Sequence, residues 1–299
     1  SAYSVPGLRG LKLERIPFDP KEMNIDIDQM ERAIRETKPK LILLGASLFL
    51  FPHPIQEMLV AADEVDATLV YDASHVLGLI AGNKFQDPLG EGADVVTSST
   101  HKTFPGPQGA LILCKEALSD RIDKAVFPGT VSNHHLHHIA GLAVTLQEMI
   151  HFGEAYAAQI QSNAKALAQA LYEAGFNVLC EHKGFTESHQ IAIDVRDLGG
   201  GDRVAKRLEE AYIITNKNML PFDNEPDKPS GIRLGVQELT RTGMKESEMI
   251  EIASLIRRLL IEEEPVIKVK NDVKALKNNF LNVHYSFDGG PAYRNPALR

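Results

Sequence analysis

Four short apolar runs in the first half constrain this chain more than any other feature. "KLILLGAS", "ATLVYDAS", "ADVVTSS" and "GALILCK" are rich in β-branched and aliphatic residues and are bounded by turn residues. The first two flank "IQEMLVAADEV", and "DIDQMERAIRET" precedes them; both carry apolar residues at helical spacing. Apolar strands that alternate with helices predict a mostly parallel sheet covered on both faces, hence an α/β fold. In such sheets ligands bind beyond the carboxyl ends of the strands. Ser47, Asp72, and Thr100 with Lys102 terminate three of these runs and are expected at one edge.

The second half has a different texture. An Ala-rich helical stretch from Leu136 is closed by Gly175. Strand-like "FNVLC" and "HQIAIDV" follow it, then helices through "GDRVAKRLEEAY" and from Glu246 to about Ile261. This pattern predicts a smaller α+β domain, with residues 1–150 as the large domain and 151–299 as the small one. The opening "SAYSVPGLRGLKLERIPFD" reads as a strand-like segment entered abruptly, as though something preceded it.

The chain has 299 residues and a net charge of −8, which argues against nucleic acid or an anionic membrane as partner. The apolar stretch Leu41–Phe51 is too short to span a bilayer. Two cysteines, Cys114 and Cys180, lie far apart without metal or disulfide spacing, which fits a reducing cytoplasm.

The chemistry concentrates around "DVVTSSTHKTFPGPQG". Lys102 follows a strand-like run and precedes a Gly/Pro-rich turn. A lysine there is ordinarily a solvated loop residue, but a sheltered one can form a Schiff base with an aldehyde cofactor. Asp72 closes "ATLVYD", where a buried carboxylate needs a cation or several donors. Capping a helix would explain it; so would pairing with a protonated pyridine nitrogen. His75 and His101 adjoin these two residues and can stack, hydrogen-bond or handle protons. Arg233, inside "GIRLG", is either an edge-strand residue or a fork for a carboxylate. His134 and His138 would share a helix face, but no carboxylate or cysteine stands beside them at ligand spacing. No metal is expected there, and a role at a helix start or subunit interface is preferred.

"DVVTSSTHKTFPGPQGALIL", "YDASHVLGLIAG", "KPKLILLGAS", "AVFPG", "NKN…PF" and "SGIRLG…LTRTGM" together resemble serine hydroxymethyltransferase. The likeness runs from near residue 10 to about residue 260. It implies a fold-type-I enzyme dependent on pyridoxal 5′-phosphate, which moves the serine hydroxymethyl carbon to a reduced pterin and leaves glycine. By that resemblance Lys102 would carry the cofactor, Asp72 would pair with its pyridine nitrogen, and His75 would sit near its 3′-oxygen. Ser47 and Thr100 would be cofactor-site hydroxyls, His101 would lie beside the phosphate, and Arg233 with Asn218 would bind the substrate.

Two departures mark the chain. Gln108 stands where the family has Arg after the lysine, and "TVSNHHLHH" replaces a glycine-rich loop that reaches the neighbouring subunit's cofactor phosphate. Both, with "GFTESHQIAIDV", look like the methanogen branch, which implies tetrahydromethanopterin rather than tetrahydrofolate as acceptor. The family's chains extend further at the N-terminus, so weak cofactor retention is expected of these residues by themselves. A homodimer with "FPGTVSNHHLHH" at the seam follows from the resemblance. The alternatives are another fold-type-I enzyme of the threonine-aldolase kind, and an inactive fragment that keeps the fold.

Overall fold

The computed structural model describes residues 9–293 together with Gly7. A two-residue hairpin, β1 (Phe18–Asp19) with β2 (Asn24–Ile25), comes first. The expected opening strand reduces to that pair, since residues 11–17 pair with no strand among the described residues. Its first six residues lie outside those described. Helix α1 (Ile27–Thr37) is capped by Asp26, whose carboxylate accepts from the Gln29 N–H, and it buries Met30 and Ile34.

The large sheet is built from β3 (Leu41–Leu44), β4 (Thr68–Asp72), β5 (Val95–His101) and β6 (Pro105–Cys114), side by side in that order. Helices α2 (Ile55–Glu64) and α3 (Leu77–Ala81) lie in the connections. β3, β4 and β5 run parallel, and β6 returns antiparallel to β5. Three carboxyl ends therefore reach the same edge, as the sequence predicts.

Coverage on both faces is not what the structure shows. Ile42 and Leu44 are buried, whereas their neighbours Leu41 and Leu43 are half exposed. Ile112 of β6, on the same face as Leu43, is exposed too. Among the described residues the helices pack on the face of Ile42, Leu44, Tyr71 and Val96, while Leu41, Leu43 and Ile112 of the other face remain exposed.

After α4 (Ser119–Val126) comes α5 (Leu136–Glu173), 38 residues long. At 1.5 Å per residue it spans roughly 57 Å. Its first turns lie against β6 and α3, and its later turns lie against the second half of the chain. Residue 150, where composition divides the chain, falls inside it. Helix α5 begins at Leu136, so His134 precedes it and does not share a face with His138. The rings that meet are those of His135, His137 and His138, with centroids 4.4–5.6 Å apart.

The second sheet is antiparallel. It holds β7 (Asn177–Val178), β8 (Gln190–Asp194), β9 (Asn216–Asn218) and β10 (Gly231–Gly235), in the order β7-β8-β10-β9. Helices α6 (Gly201–Glu210), α7 (Gln237–Arg241), α8 (Glu246–Leu260) and α9 (Val266–Lys277) complete it. Asn163, fully buried in mid-α5, donates to Thr240 Oγ1 and to the Met244 carbonyl, both at 2.9 Å. That side chain ties the long helix to the turn after α7.

Candidate active site

The ends of β4 and β5 are stitched together by hydroxyls. The Ser99 N–H donates to Ser74 Oγ at 2.9 Å, and Thr103 Oγ1 donates to the His75 carbonyl at 2.8 Å. The same Thr103 hydroxyl accepts from the Gly78 N–H at 3.1 Å. Only glycine fits at position 78, since a Cβ there would stand 2.3 Å from the Thr103 carbonyl oxygen. Lys102 lies between these anchors, directly after β5 ends at His101. Its side chain is half-buried and makes no hydrogen bond or ion pair with any described residue. The run of hydroxyls around it thus has a structural reason. They fix the backbone on both sides of the lysine.

Lys102 faces a half-open cavity of about 590 Å³. His75 and His101 line it from the first half of the chain, Tyr156 from α5, and His189, Gln190, Asn216 and Arg233 from the second sheet. Glu238 and Arg241 of α7 close one side. The cavity sits where the carboxyl edge of the large sheet meets the second sheet.

Arg233 crosses between the halves. One of its nitrogens donates to the Ser47 carbonyl, and another donates to Asn216 Oδ1 at 3.0 Å. No carboxylate among the described residues pairs with it, and burial pushes its pKa down. Arg241 differs, since it meets Glu148 at 2.6 Å with both side chains largely buried. Three Lys and Arg side chains line the cavity, and two of them, Lys102 and Arg233, have no anionic partner among the described residues. A partly desolvated cation without a counter-ion is a site for an anionic ligand.

The two inner histidines are neutral near pH 7. Burial, with Lys102 and Arg233 nearby, lowers His75 to about 4. Burial lowers His189 to about 3. Their rings lie nearly parallel with centroids 6.3 Å apart.

The other residues singled out from sequence sit around this cavity in different ways. Asp72 ends β4 in register with Thr97, and its Oδ1 accepts the Ser74 N–H at 2.9 Å. It lies behind the lining rather than in it. Thr100 is buried and donates its hydroxyl to the Pro107 carbonyl at 2.6 Å, away from the cavity. Ser47 contributes its carbonyl, to Arg233 and to Gln190, rather than its hydroxyl. Asn218 shares a strand with Asn216, but it is Asn216 that reaches Arg233. Asn218 instead donates to the Met219 carbonyl at 2.6 Å.

Sequence reasoning passed over Gln190, His189, Asn216, Tyr156 and Arg241. A signal for the first two existed. "HQ" opens the apolar run "HQIAIDV", and two polar residues buried at a strand start need a reason. Tyr156 and Arg241 carried none, because their place in the cavity depends on how α5 and α7 meet.

Residues 11–256 match the family model for serine hydroxymethyltransferase. The chain is 59% identical over 293 residues to the serine hydroxymethyltransferase of Methanocella arvoryzae, covering 97% of this chain and 69% of that protein. The protein of the same name from Methanocaldococcus jannaschii is also 59% identical, over 297 residues, with 97% and 69% covered. The one from Archaeoglobus fulgidus is 54% identical over 298 residues, with 99% and 68% covered. Among solved structures, the crystal structure of L-threonine transaldolase from Pseudomonas fluorescens in the internal aldimine state superimposes with a TM-score of 0.87. It is 34% identical, and the match covers 98% of this chain and 67% of that one.

Proposed function

This chain belongs to the serine hydroxymethyltransferase family, and from that membership we propose how its residues divide the work. It is an α/β, fold-type-I, pyridoxal-phosphate-dependent transferase acting on serine and glycine. The finer reading is that the acceptor of the hydroxymethyl carbon is tetrahydromethanopterin, a choice supported by the identity to methanogen relatives. The identity to hydroxymethyltransferases, well above that to the threonine transaldolase, favours this reaction over aldolase-type chemistry.

The residues present fit the cofactor. Lys102 offers an unpaired amine at a rigid strand end, and Asp72 accepts only one backbone N–H, so carboxylate capacity is left for a cation. Pyridoxal phosphate, when bound, supplies an aldehyde for amines and a ring that takes up the electrons of the broken Cα–Cβ bond.

Each side chain then has a task that its surroundings suit. Lys102 would hold the cofactor through its aldehyde carbon. Arg233 clamps the substrate carboxylate, its fork already oriented by Ser47 and Asn216. Asp72 would pair with the cofactor's ring nitrogen and keep a proton on it. His75, neutral, would offer one N–H to the cofactor's ring without adding charge. His101 stands at the exposed mouth of the cavity, where a phosphate group can remain in contact with water. The observation that carries this reading is the pair of unpaired cations, Lys102 and Arg233, brought to one cavity by two different sheets. Borohydride reduction of the chain incubated with pyridoxal phosphate, then peptide mapping, tests it. The label is expected on Lys102; a label elsewhere, or none, sinks the assignment.

We propose a cytoplasmic homodimer as its working form. Both cysteines are free thiols, and no described helix is long and apolar enough to cross a membrane. Phe127, Val131 and Leu136 expose apolar surface around the histidine-rich segment, which suits a second copy of the chain.

A further inference from the structure

We infer that Gln190 is a positioning residue that holds His75 in a single neutral tautomer, with Nδ1 bare and the proton on Nε2. The Gln190 side chain is a buried amide with every bonding group engaged. Gln190 opens β8, is 2% exposed, and reaches across the cavity from the second sheet into the first half of the chain. Its Oε1 accepts the Phe49 N–H at 2.7 Å. Its Nε2 lies 3.0 Å from the Ser47 carbonyl and 3.1 Å from His75 Nδ1.

These three contacts fix the amide's orientation. A backbone N–H cannot donate to an NH₂ group, so the atom facing Phe49 is the oxygen. The nitrogen then has two hydrogens and two neighbours. The Ser47 carbonyl is only an acceptor, so it takes one hydrogen, and the other points at His75 Nδ1. That ring nitrogen must therefore accept, and a neutral imidazole with an accepting Nδ1 carries its proton on Nε2. Protonating His75 would turn Nδ1 into a donor facing a donor, which strengthens the resistance to charging that burial already imposes.

The groups around the ring act in the same direction, with one exception. Lys102 and Arg233 oppose a positive charge on His75, the parallel His189 ring is itself neutral, and Asp72 alone favours protonation. The outcome is an N–H donor that stays uncharged across the physiological range. Gln190 also shares the Ser47 carbonyl with Arg233, so one backbone oxygen aligns the carboxylate clamp and the His75 amide together. The use of this donor in the reaction rests on the function proposed above. The tautomer itself does not.

The test reads the ring nitrogens directly. In the ¹⁵N-histidine-labelled chain, with His75 assigned by its loss in His75→Gln, the native protein should show an accepting Nδ1 and a protonated Nε2 from pH 8 to pH 5.5. Gln190→Leu, which keeps the bulk and removes the donor, should leave the two nitrogens averaging between tautomers. Gln190→Glu should move the proton to Nδ1 and raise the ring's titration midpoint, because a carboxylate then accepts where an amide donated. A native Nδ1–H form, or an unchanged Nε2–H form in a folded Gln190→Leu, overturns the inference even if Gln190→Glu fails to fold. In the loaded enzyme, Gln190→Leu should lower kcat by about tenfold and alter its pH profile, with a smaller change in KM. A shifted tautomer with unaltered kcat would remove the residue from the reaction. Loss of the Lys102 label would instead overturn the proposed function and leave the tautomer result standing.

Discussion

Arg233 shows how a single side chain can be committed and available at once. Its hydrogen bonds go to a neutral carbonyl and a neutral amide, which orient the guanidinium without neutralising it. In Arg233→Ala, serine affinity should fall by about 2–5 kcal/mol, the usual loss when a partly buried carboxylate is left without its charged donor. Cofactor absorbance should persist, since Arg233 is assigned to the substrate alone. Arg233→Lys should recover only part of the loss, because an ammonium cannot form the two-pronged contact. Titrating serine against the absorbance of the loaded protein checks both variants, and native-like serine affinity in the alanine variant contradicts the role.

At the scale of elements, the site depends on close approach between segments. Gly45, just past β3, has φ +123°, and a Cβ there would stand 2.7 Å from the Asp72 carbonyl oxygen. Gly45→Ala is expected to cost about 1–3 kcal/mol from backbone conformation alone, and to push the end of β4 away from its place. Urea denaturation measures the first effect and pyridoxal-phosphate affinity the second; a native midpoint with native affinity would show that the strand ends tolerate separation. Asn163 tests the opposite side. Its amide is buried, donates to Thr240 Oγ1 and the Met244 carbonyl, and accepts from Gln159 Nε2 at 3.0 Å. Asn163→Ala should therefore lower stability by about 1–3 kcal/mol, leaving three groups without that partner. A midpoint within error of the native one would mean that α5 and the turn after α7 hold together by apolar packing alone.

For the whole molecule, pH exposes what the buried histidines cost. Burial lowers His53 to about 4 and His189 to about 3, against 6.5 unfolded. Below pH 6.5 the unfolded chain takes up protons that the folded chain refuses, so stability falls as pH drops, until each folded ring titrates. From pH 6.5 to pH 5 the loss is about 2 kcal/mol for His189, the fully buried ring, and somewhat less for His53, and most carboxylates stay ionised in that window. Urea midpoints at pH 7 and pH 5 should therefore differ clearly. Equal midpoints would refute the neutral-ring account. The exposed apolar groups on β6 and the first turns of α5 bear on assembly at the same scale. Light scattering at micromolar concentration should report twice the chain mass of 33.0 kDa; a clean monomer would remove the proposed dimer.

The sequence by itself determined the elements and one side of the site. Strand runs of four to seven residues and amphipathic helices are local patterns, so β3, β4, β5, α1 and α2 were legible, as was the convergence of Asp72 and Lys102 at one edge. Parallel strands separated by helices leave no other end for those residues to occupy. Tertiary structure decided what faces them. Hydrogen bonds between Gln190 and His75 span 115 positions, and that between Arg233 and Ser47 spans 186. No periodicity encodes pairings at such separation. The exposure of Leu41, Leu43 and Ile112 escaped for a related reason. An apolar run states that a strand can be buried on both sides, but only the positions of the helices determine whether it is.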